Sequence, residues 1–249
     1  MYQKSTIISL SVHNISFQNS LQQITKWGLE NRSGFICFAN VHMAIEAYKS
    51  SLYGQHLDKA LLVLPDGKPL ALACKWLHNN RQERISGMDF MPALLEESEK
   101  HGGKIFLYGS TPAILEKLTG NIKTLFPAIQ IVGAISPPFR ELLASETAEH
   151  IEVINKSKAN FVLVALGCPK QETWMAQNHS KINAVLLGVG GAFPVIAGVQ
   201  KRSPKLMQNL SLEWLYRLKQ EPRRLFKRYL YTNVYFIGLL LRNLQRKSL

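Results

Sequence analysis

The sequence predicts an α/β fold, a Rossmann-like parallel sheet with helices on both faces, followed by a basic, amphipathic, helical C-terminal appendage. Three observations carry this reading. Apolar runs of four to seven residues, rich in β-branched side chains, recur through the first 200 residues, and segments of helical periodicity lie between most of them. The runs are continuous rather than alternating, which suits strands buried on both faces of a sheet. The charge then changes abruptly: residues 1–200 hold 18 Lys and Arg against 15 Asp and Glu, whereas residues 201–249 hold 12 against 2.

In chain order, the expected strands are Phe35–Ala39, Leu61–Leu64, Ile105–Tyr108, Ile129–Ile135, Phe161–Ala165 and Val185–Leu187. Helical spacing marks Met91–Lys100, Ala113–Leu125 and Ser145–Lys156. Gly or Pro follows several strands at their carboxyl ends, in Pro65-Asp66-Gly67, Gly109-Ser110, Gly167-Cys168-Pro169 and at Gly188. Ligands of open α/β sheets bind beyond those ends, so the chemistry is expected there. Past residue 200 come Lys201-Arg202-Ser203-Pro204, a helical Glu213–Leu218, an interruption at Glu221-Pro222 and an apolar Tyr229–Leu241. This last run makes a helix of roughly 20 Å, too short to span a hydrocarbon core of about 30 Å. Its aromatic and aliphatic side chains beside Arg and Lys suit a helix lying in the membrane interface, the alternative being a helix packed on the body. The chain therefore divides into an α/β catalytic domain, 1–200, and a helical membrane-associating appendage, 201–249, that completes the active site.

Composition excludes several classes. With 249 residues, 46% of them hydrophobic, one sizeable core is within reach, and no stretch is repetitive or of low complexity. Cys37, Cys74 and Cys168 are far apart with no CxxC pairing, which fits a reducing compartment rather than a disulfide framework or zinc site. The amino terminus lacks an apolar stretch followed by a small-residue cleavage site, so secretion is not expected. His42, His78 and His101 have no metal-ligand spacing, and no DxD is present to hold a divalent ion on a diphosphate. No metal and no cofactor is called for.

Several motifs sit where chemistry is expected, each with an ordinary structural alternative. Asp66 follows a buried strand and can serve as a base for a sugar hydroxyl, or simply head an Asx-turn. Gly167-Cys168-Pro169-Lys170-Gln171-Glu172 starts a helix, whose free amides favour anions and where Gln171 and Glu172 can meet a substrate; Pro169 and Glu172 are also ordinary helix-start residues. Gly188, Gly190 and Gly191 lie in a Gly-rich loop that permits close ligand approach, although Phe193 occupies the third glycine position of a dinucleotide fingerprint. Arg84 is a candidate phosphate ligand or a surface charge, and Asp89 is a candidate N-cap. Arg217, Arg224 and Arg228 would fall within about 40° on one continuous helix, an alignment that Pro222 interrupts. Two other classes compete: a nucleic-acid-binding protein with a phosphate-tracking tail, and a nicotinamide-dependent sugar-nucleotide oxidoreductase. The apolar Val234–Leu241 suits lipid better than nucleic acid, and the broken fingerprint tells against nicotinamide.

Taken in order, these segments resemble the WecG/TagA/CpsF family of bacterial glycosyltransferases. The residues that carry the resemblance are Asn40, Pro65-Asp66-Gly67, Arg84-x-x-Gly87-x-Asp89, Phe106-Leu107-Tyr108-Gly109, Pro127 and Gly133 with Pro137-Pro138-Phe139. Further along are Gly167-x-Pro169-Lys170-Gln171-Glu172, Gly188-x-Gly190-Gly191-Ala192-Phe193, Ala197-Gly198, Arg202-x-Pro204, Glu213-Trp214-x-x-Arg217-Leu218 and Glu221-Pro222-x-Arg224-x-x-x-Arg228-Tyr229. The resemblance implies a metal-independent, inverting transferase that moves a sugar from a UDP-sugar onto a polyprenyl-diphosphate-linked acceptor in cell-surface polysaccharide synthesis. It implies Asp66 as the base, Asn40 and Gln171 as substrate contacts, and Arg217, Arg224 and Arg228 as diphosphate ligands. It also implies peripheral attachment to the anionic inner face of the cytoplasmic membrane, without nucleic acid as a partner; a homo-oligomer is compatible with it. Phe38 departs from the pattern, since many relatives have Thr there, and the loss of that hydroxyl leaves the donor sugar open. Ser136-Pro137-Pro138-Phe139 looks more like the exopolysaccharide branch of the family.

Overall fold

A computed structural model describes residues 2–209 and 212–247, apart from the side chains of Asn209, Arg224, Arg228 and Lys247. The chain opens with a hairpin, β1 (Lys4–Ile7) and β2 (Leu10–His13), then α1 (Phe17–Leu29), β3 (Gly34–Ala39), α2 (Val41–Lys49), α3 (Ser51–Asp58), β4 (Leu62–Pro65) and α4 (Lys68–His78). It continues through α5 (Gly87–His101), β5 (Lys104–Gly109), α6 (Pro112–Leu125), β6 (Gln130–Ile135), α7 (Ala144–Lys156), β7 (Phe161–Ala165), α8 (Lys170–Asn178), β8 (Val185–Gly188) and α9 (Phe193–Ile196). The last elements are α10 (Lys205–Asn209), α11 (Glu213–Gln220) and α12 (Pro222–Lys247).

All six expected strands form, and they make one parallel sheet in the order β4-β3-β8-β7-β5-β6. Alternation along each strand explains why both faces are apolar. Phe35, Cys37, Phe106, Tyr108, Val162 and Val164 enter one core, while Ile36, Phe38, Ile105, Leu107, Phe161 and Leu163 enter the other. The first face is covered by the β1–β2 hairpin, α2, α3, α4, α7, α8 and α12; the second by α1, α5, α6 and α9. This is the Rossmann-like arrangement that the continuous apolar runs require.

The elements start where side chains can satisfy their free amides. Ser16, Asn40, Ser50 and Thr111 cap α1, α2, α3 and α6. The helix expected from Met91 begins at Gly87, because Ser86 supplies the cap by accepting from Met88 N at 3.3 Å. Asp89 is therefore not an N-cap; it is the third helical residue and is free to take other partners. The hairpin and the helices before α5 lie outside the expected elements, and the hairpin is tied to the sheet by His13, whose Nδ1 accepts from Val63 N at 2.9 Å.

The appendage differs in two respects from the expectation. The apolar run is the middle of a longer helix, since α12 has 26 residues, about 39 Å at 1.5 Å per residue. Among the described residues no helix is both long and apolar enough to cross a membrane. The chain also breaks at Glu221, so Arg217 lies on α11 whereas Arg224 and Arg228 lie on α12, and no single helix face carries all three. Leu225, Phe236, Leu239 and Leu240 bury the inner face of α12, the last three in the core that contains α2 and α4. Phe226, Leu230, Val234, Ile237 and Leu241, spaced four, four, three and four residues apart, leave its outer face apolar and exposed.

Candidate active site

The carboxyl edge of the sheet places Asp66. Pro65, the last residue of β4, is in register with Ala39 at the end of β3, and Asp66 N donates to Ala39 O at 2.7 Å. The chain then turns through Gly67 into α4, whose first turn has no side-chain cap. It returns after α4 so that Ile85 N donates to Pro65 O at 2.8 Å, which brings Arg84 and Ser86 over the end of the strand. Asp66 is half-buried, and burial pushes its carboxyl up from the usual range to about 6. A hydrogen bond from Ser86 and the Arg217 and Arg84 guanidinium groups oppose that rise, and Glu213 adds to it. A carboxylate so tuned is ionised at neutral pH and is a stronger base than a solvated one.

Around Asp66, four segments distant in sequence are joined by charge. Arg84 donates to Glu213 Oε2 at 2.9 Å and to Asp89 Oδ2 at 2.9 Å. Arg202 donates to the other oxygen of Asp89. Arg217 Nη2 lies 3.4 Å from Gly191 O in the Gly-rich loop after β8. A Cβ at Gly191 would stand 2.6 Å from that guanidinium nitrogen, so glycine is what admits it. These contacts dock α11 over the carboxyl edge and put two cations beside one tuned carboxylate.

A second group lies beneath the same loop. Gln171 is 7% exposed, and its Nε2 donates to Glu172 Oε1 at 2.6 Å and to Gly188 O at 3.3 Å. Its Oε1 has no partner among the described residues and faces Gly190, where a Cβ would stand 2.9 Å away. Glu172 is fully buried, also accepts from the Tyr53 hydroxyl at 3.1 Å, and is held above the usual carboxylate range by burial. Its carboxylate orients the Gln171 amide. Gly188 and Gly190 leave room for the Gln171 amide, and Gly190-Gly191 connects this group to Arg217.

Thus Asp66, Arg84, Gly191 and Arg217 come together, and Gln171, Glu172, Gly188 and Gly190 form a buried support next to them. Asn40 follows the adjacent strand, with its Oδ1 capping α2 through Met43 N at 3.2 Å. The side chains of Arg224 and Arg228 lie outside the described residues. Phe38 points into the core, against Phe90 at a ring separation of 5.2 Å and beneath Gly87, so this position is filled by packing. The role of Ser86, Glu213 and Arg202 in setting the site has no local sequence signal, because each acts on a residue remote in the chain or across a turn. Among the described residues, no group of three or more His, Cys, Asp or Glu side chains is arranged to hold a metal ion.

The model of the glycosyl transferase WecG/TagA/CpsF family matches residues 5–249, and the chain belongs to that family. The nucleic-acid and nicotinamide readings fall with that membership. A protein of Bacillus spizizenii (strain W23) is 32% identical over 196 residues, which cover 78% of this chain and 74% of the relative. One of Bacillus subtilis (strain 168) is 30% identical over 245 residues, covering 96% and 93%. Both relatives are named N-acetylglucosaminyldiphosphoundecaprenol N-acetyl-β-D-mannosaminyltransferase.

Proposed function

We propose that this glycosyltransferase moves a sugar from a UDP-sugar onto a polyprenyl-diphosphate-linked acceptor sugar, with inversion and without a metal ion, at the inner face of the cytoplasmic membrane. The observation that carries the reading is Asp66 at the carboxyl edge of the sheet, within the influence of the Arg217 and Arg84 cations and raised by burial to about 6. Asp66 accepts the proton of the acceptor hydroxyl as that oxygen attacks the anomeric carbon of the donor. The bond from that carbon to the diphosphate oxygen breaks on the opposite face, and UDP leaves with the electron pair. Arg217, beside the Gly-rich loop, meets the developing charge, and Arg224 and Arg228 are assigned to the same task. Such cations are worth on the order of 3 kcal/mol per good donor in a dry site. The names of the two relatives support a lipid-diphosphate acceptor, and the outward apolar face of α12 flanked by Lys and Arg supports a membrane surface.

The test is a product assay with a panel of UDP-sugars and a short-chain polyprenyl-diphosphate N-acetylglucosamine, run with EDTA. We expect one UDP-sugar to give a diphosphate-linked disaccharide at an undiminished rate. Loss of product with EDTA and its return with Mg²⁺ or Mn²⁺ would overturn the metal-independent mechanism.

A further inference from the structure

The amino edge of the sheet, opposite Asp66, carries a cavity of about 500 Å³. Lys104 opens β5, Asn160 precedes β7 and Ala184 precedes β8, three strands that are neighbours in the sheet, and all three residues line the cavity. The five residues of β7, about 16 Å of extended chain, separate it from the carboxyl edge. Asparagine side chains fix its walls. Asn160 Oδ1 accepts from Lys104 N at 2.8 Å, and Asn160 Nδ2 donates to Gly28 O at 3.1 Å and to Asn31 Oδ1 at 3.0 Å. Asn155 donates to Lys181 O at 2.9 Å and accepts from Asn183 N at 3.0 Å. What remains is chiefly donors. Among the described residues, Lys104 and Lys158, both lining the cavity, form no ion pair, and no carboxylate lines it. The Asn31 amide nitrogen and the Asn183 side chain also have no partner there. The carbonyls ending α1 and α7, which would repel an anion, are occupied. Gly28 O accepts from Asn31 N as well as Asn160, and Ile154 O accepts from the Ser157 hydroxyl at 2.6 Å.

We propose that this cavity is a second ligand site, separate from the site of transfer, and that it binds a phosphorylated sugar. Two ammonium groups with no facing carboxylate select an anion, and as compact donors on rotatable stems they suit a phosphate. The cavity is larger than a phosphate alone needs and falls in the range of small-molecule sites, about 300–1,000 Å³. The amides of Asn31 and Asn183 supply directional partners for hydroxyl groups, which a bare anion would leave unmatched. Ile154, Ala159 and Ala184 add a small apolar surface, and no aromatic ring lines the cavity to stack a nucleobase. A sugar phosphate meets all of these features and a nucleotide does not. The assignment is independent of the glycosyl-transfer reading, because it uses none of the residues assigned to transfer.

Calorimetric titration of the full chain tests this, with glucose 1-phosphate, glucose and inorganic phosphate as probes and UDP as the control. We expect the wild type to bind glucose 1-phosphate more tightly than inorganic phosphate, and glucose alone not measurably. Lys104→Gln/Lys158→Gln should raise the dissociation constant for glucose 1-phosphate at least tenfold and leave that for UDP within twofold. Thermal unfolding within a few degrees of the wild type reports an intact fold whether or not UDP binds. Lys104→Arg/Lys158→Arg keeps both charges and should restore most of the affinity. Asn183→Ala should weaken glucose 1-phosphate several-fold with little effect on inorganic phosphate. No binding of glucose 1-phosphate by the wild type, or binding that the double Gln variant leaves unchanged, overturns the site. Lowered unfolding temperature in that variant, without any ligand effect, would assign the two lysines to the ends of α1 and α7 instead. An equal loss of UDP affinity would make the cavity a nucleotide site and overturn the sugar phosphate. Equal affinity for both phosphates, insensitive to Asn183→Ala, would reduce it to an anion patch and overturn it as well.

Discussion

At the scale of single residues, the site turns on competition for one carboxyl group. Burial raises Asp66, and the Ser86 hydroxyl and the Arg217 and Arg84 cations hold the rise to about 6. A base acts only when deprotonated, so kcat/KM should climb with pH below that value and level off above it. Arg217→Gln removes a cation that favours the charged form, so the acid limb should move to higher pH as well as the rate falling. A pH–rate profile of the variant with an unmoved limb would dissociate Arg217 from Asp66. The sequence offered Asp66, after a buried strand, and Arg84, before a helix, as candidates, and the resemblance singled out Asp66 as the base. It could not expose their partners. The Arg84–Glu213 and Arg202–Asp89 contacts join residues more than 100 positions apart, and no local spacing encodes such distances.

At the scale of elements, strands buried on both faces were the most legible features, since their apolar runs have no competing explanation at that length. The hairpin β1–β2 was not, because its strands are four residues each and are half polar. What stabilises it is tertiary: His13 lies 4% exposed and accepts from Val63 N, and burial, with Lys4 nearby, lowers its pKa to about 4. A histidine depressed in the folded state contributes stability that is fully present above its unfolded value near 6.5 and is lost as pH falls toward 4. The loss amounts to about 3 kcal/mol at most. His13→Asn keeps an acceptor near the position of Nδ1 but cannot be protonated. Denaturant titrations of the variant should therefore show a shallower loss of stability between pH 6.5 and 4 than the wild type. Equal slopes would mean that His13 does not carry this acid sensitivity. Helix α12 was misjudged in length because Pro222, read as an interruption, begins the helix instead, where its missing N–H is not needed.

At the scale of the whole molecule, a nearly neutral α/β body brings its chemistry to the carboxyl edge, and a cationic appendage is docked beside that edge. The inner face of α12 closes on α2 and α4, so deleting the appendage would remove Leu225, Phe236, Leu239 and Leu240 and uncover the apolar face of α2 and α4, as well as remove any membrane contact. Outward substitutions separate the two. Leu230→Gln/Val234→Gln/Ile237→Gln should release the protein from anionic liposomes while leaving its thermal unfolding within a few degrees of the wild type, since these side chains are exposed. Retained liposome binding would assign membrane contact to another surface. The sheet and the polarity of the tail were readable from charge and apolar patterning; how the tail folds back was not, because that depends on which side of α12 meets the body. The most direct test of the account is the turnover of Asp66→Asn, a nearly isosteric change that removes the base, measured alongside its affinity for UDP. Transfer should fall by roughly 10²-fold or more with UDP binding largely kept, whereas turnover near the wild-type rate would contradict the assignment of Asp66 as the base.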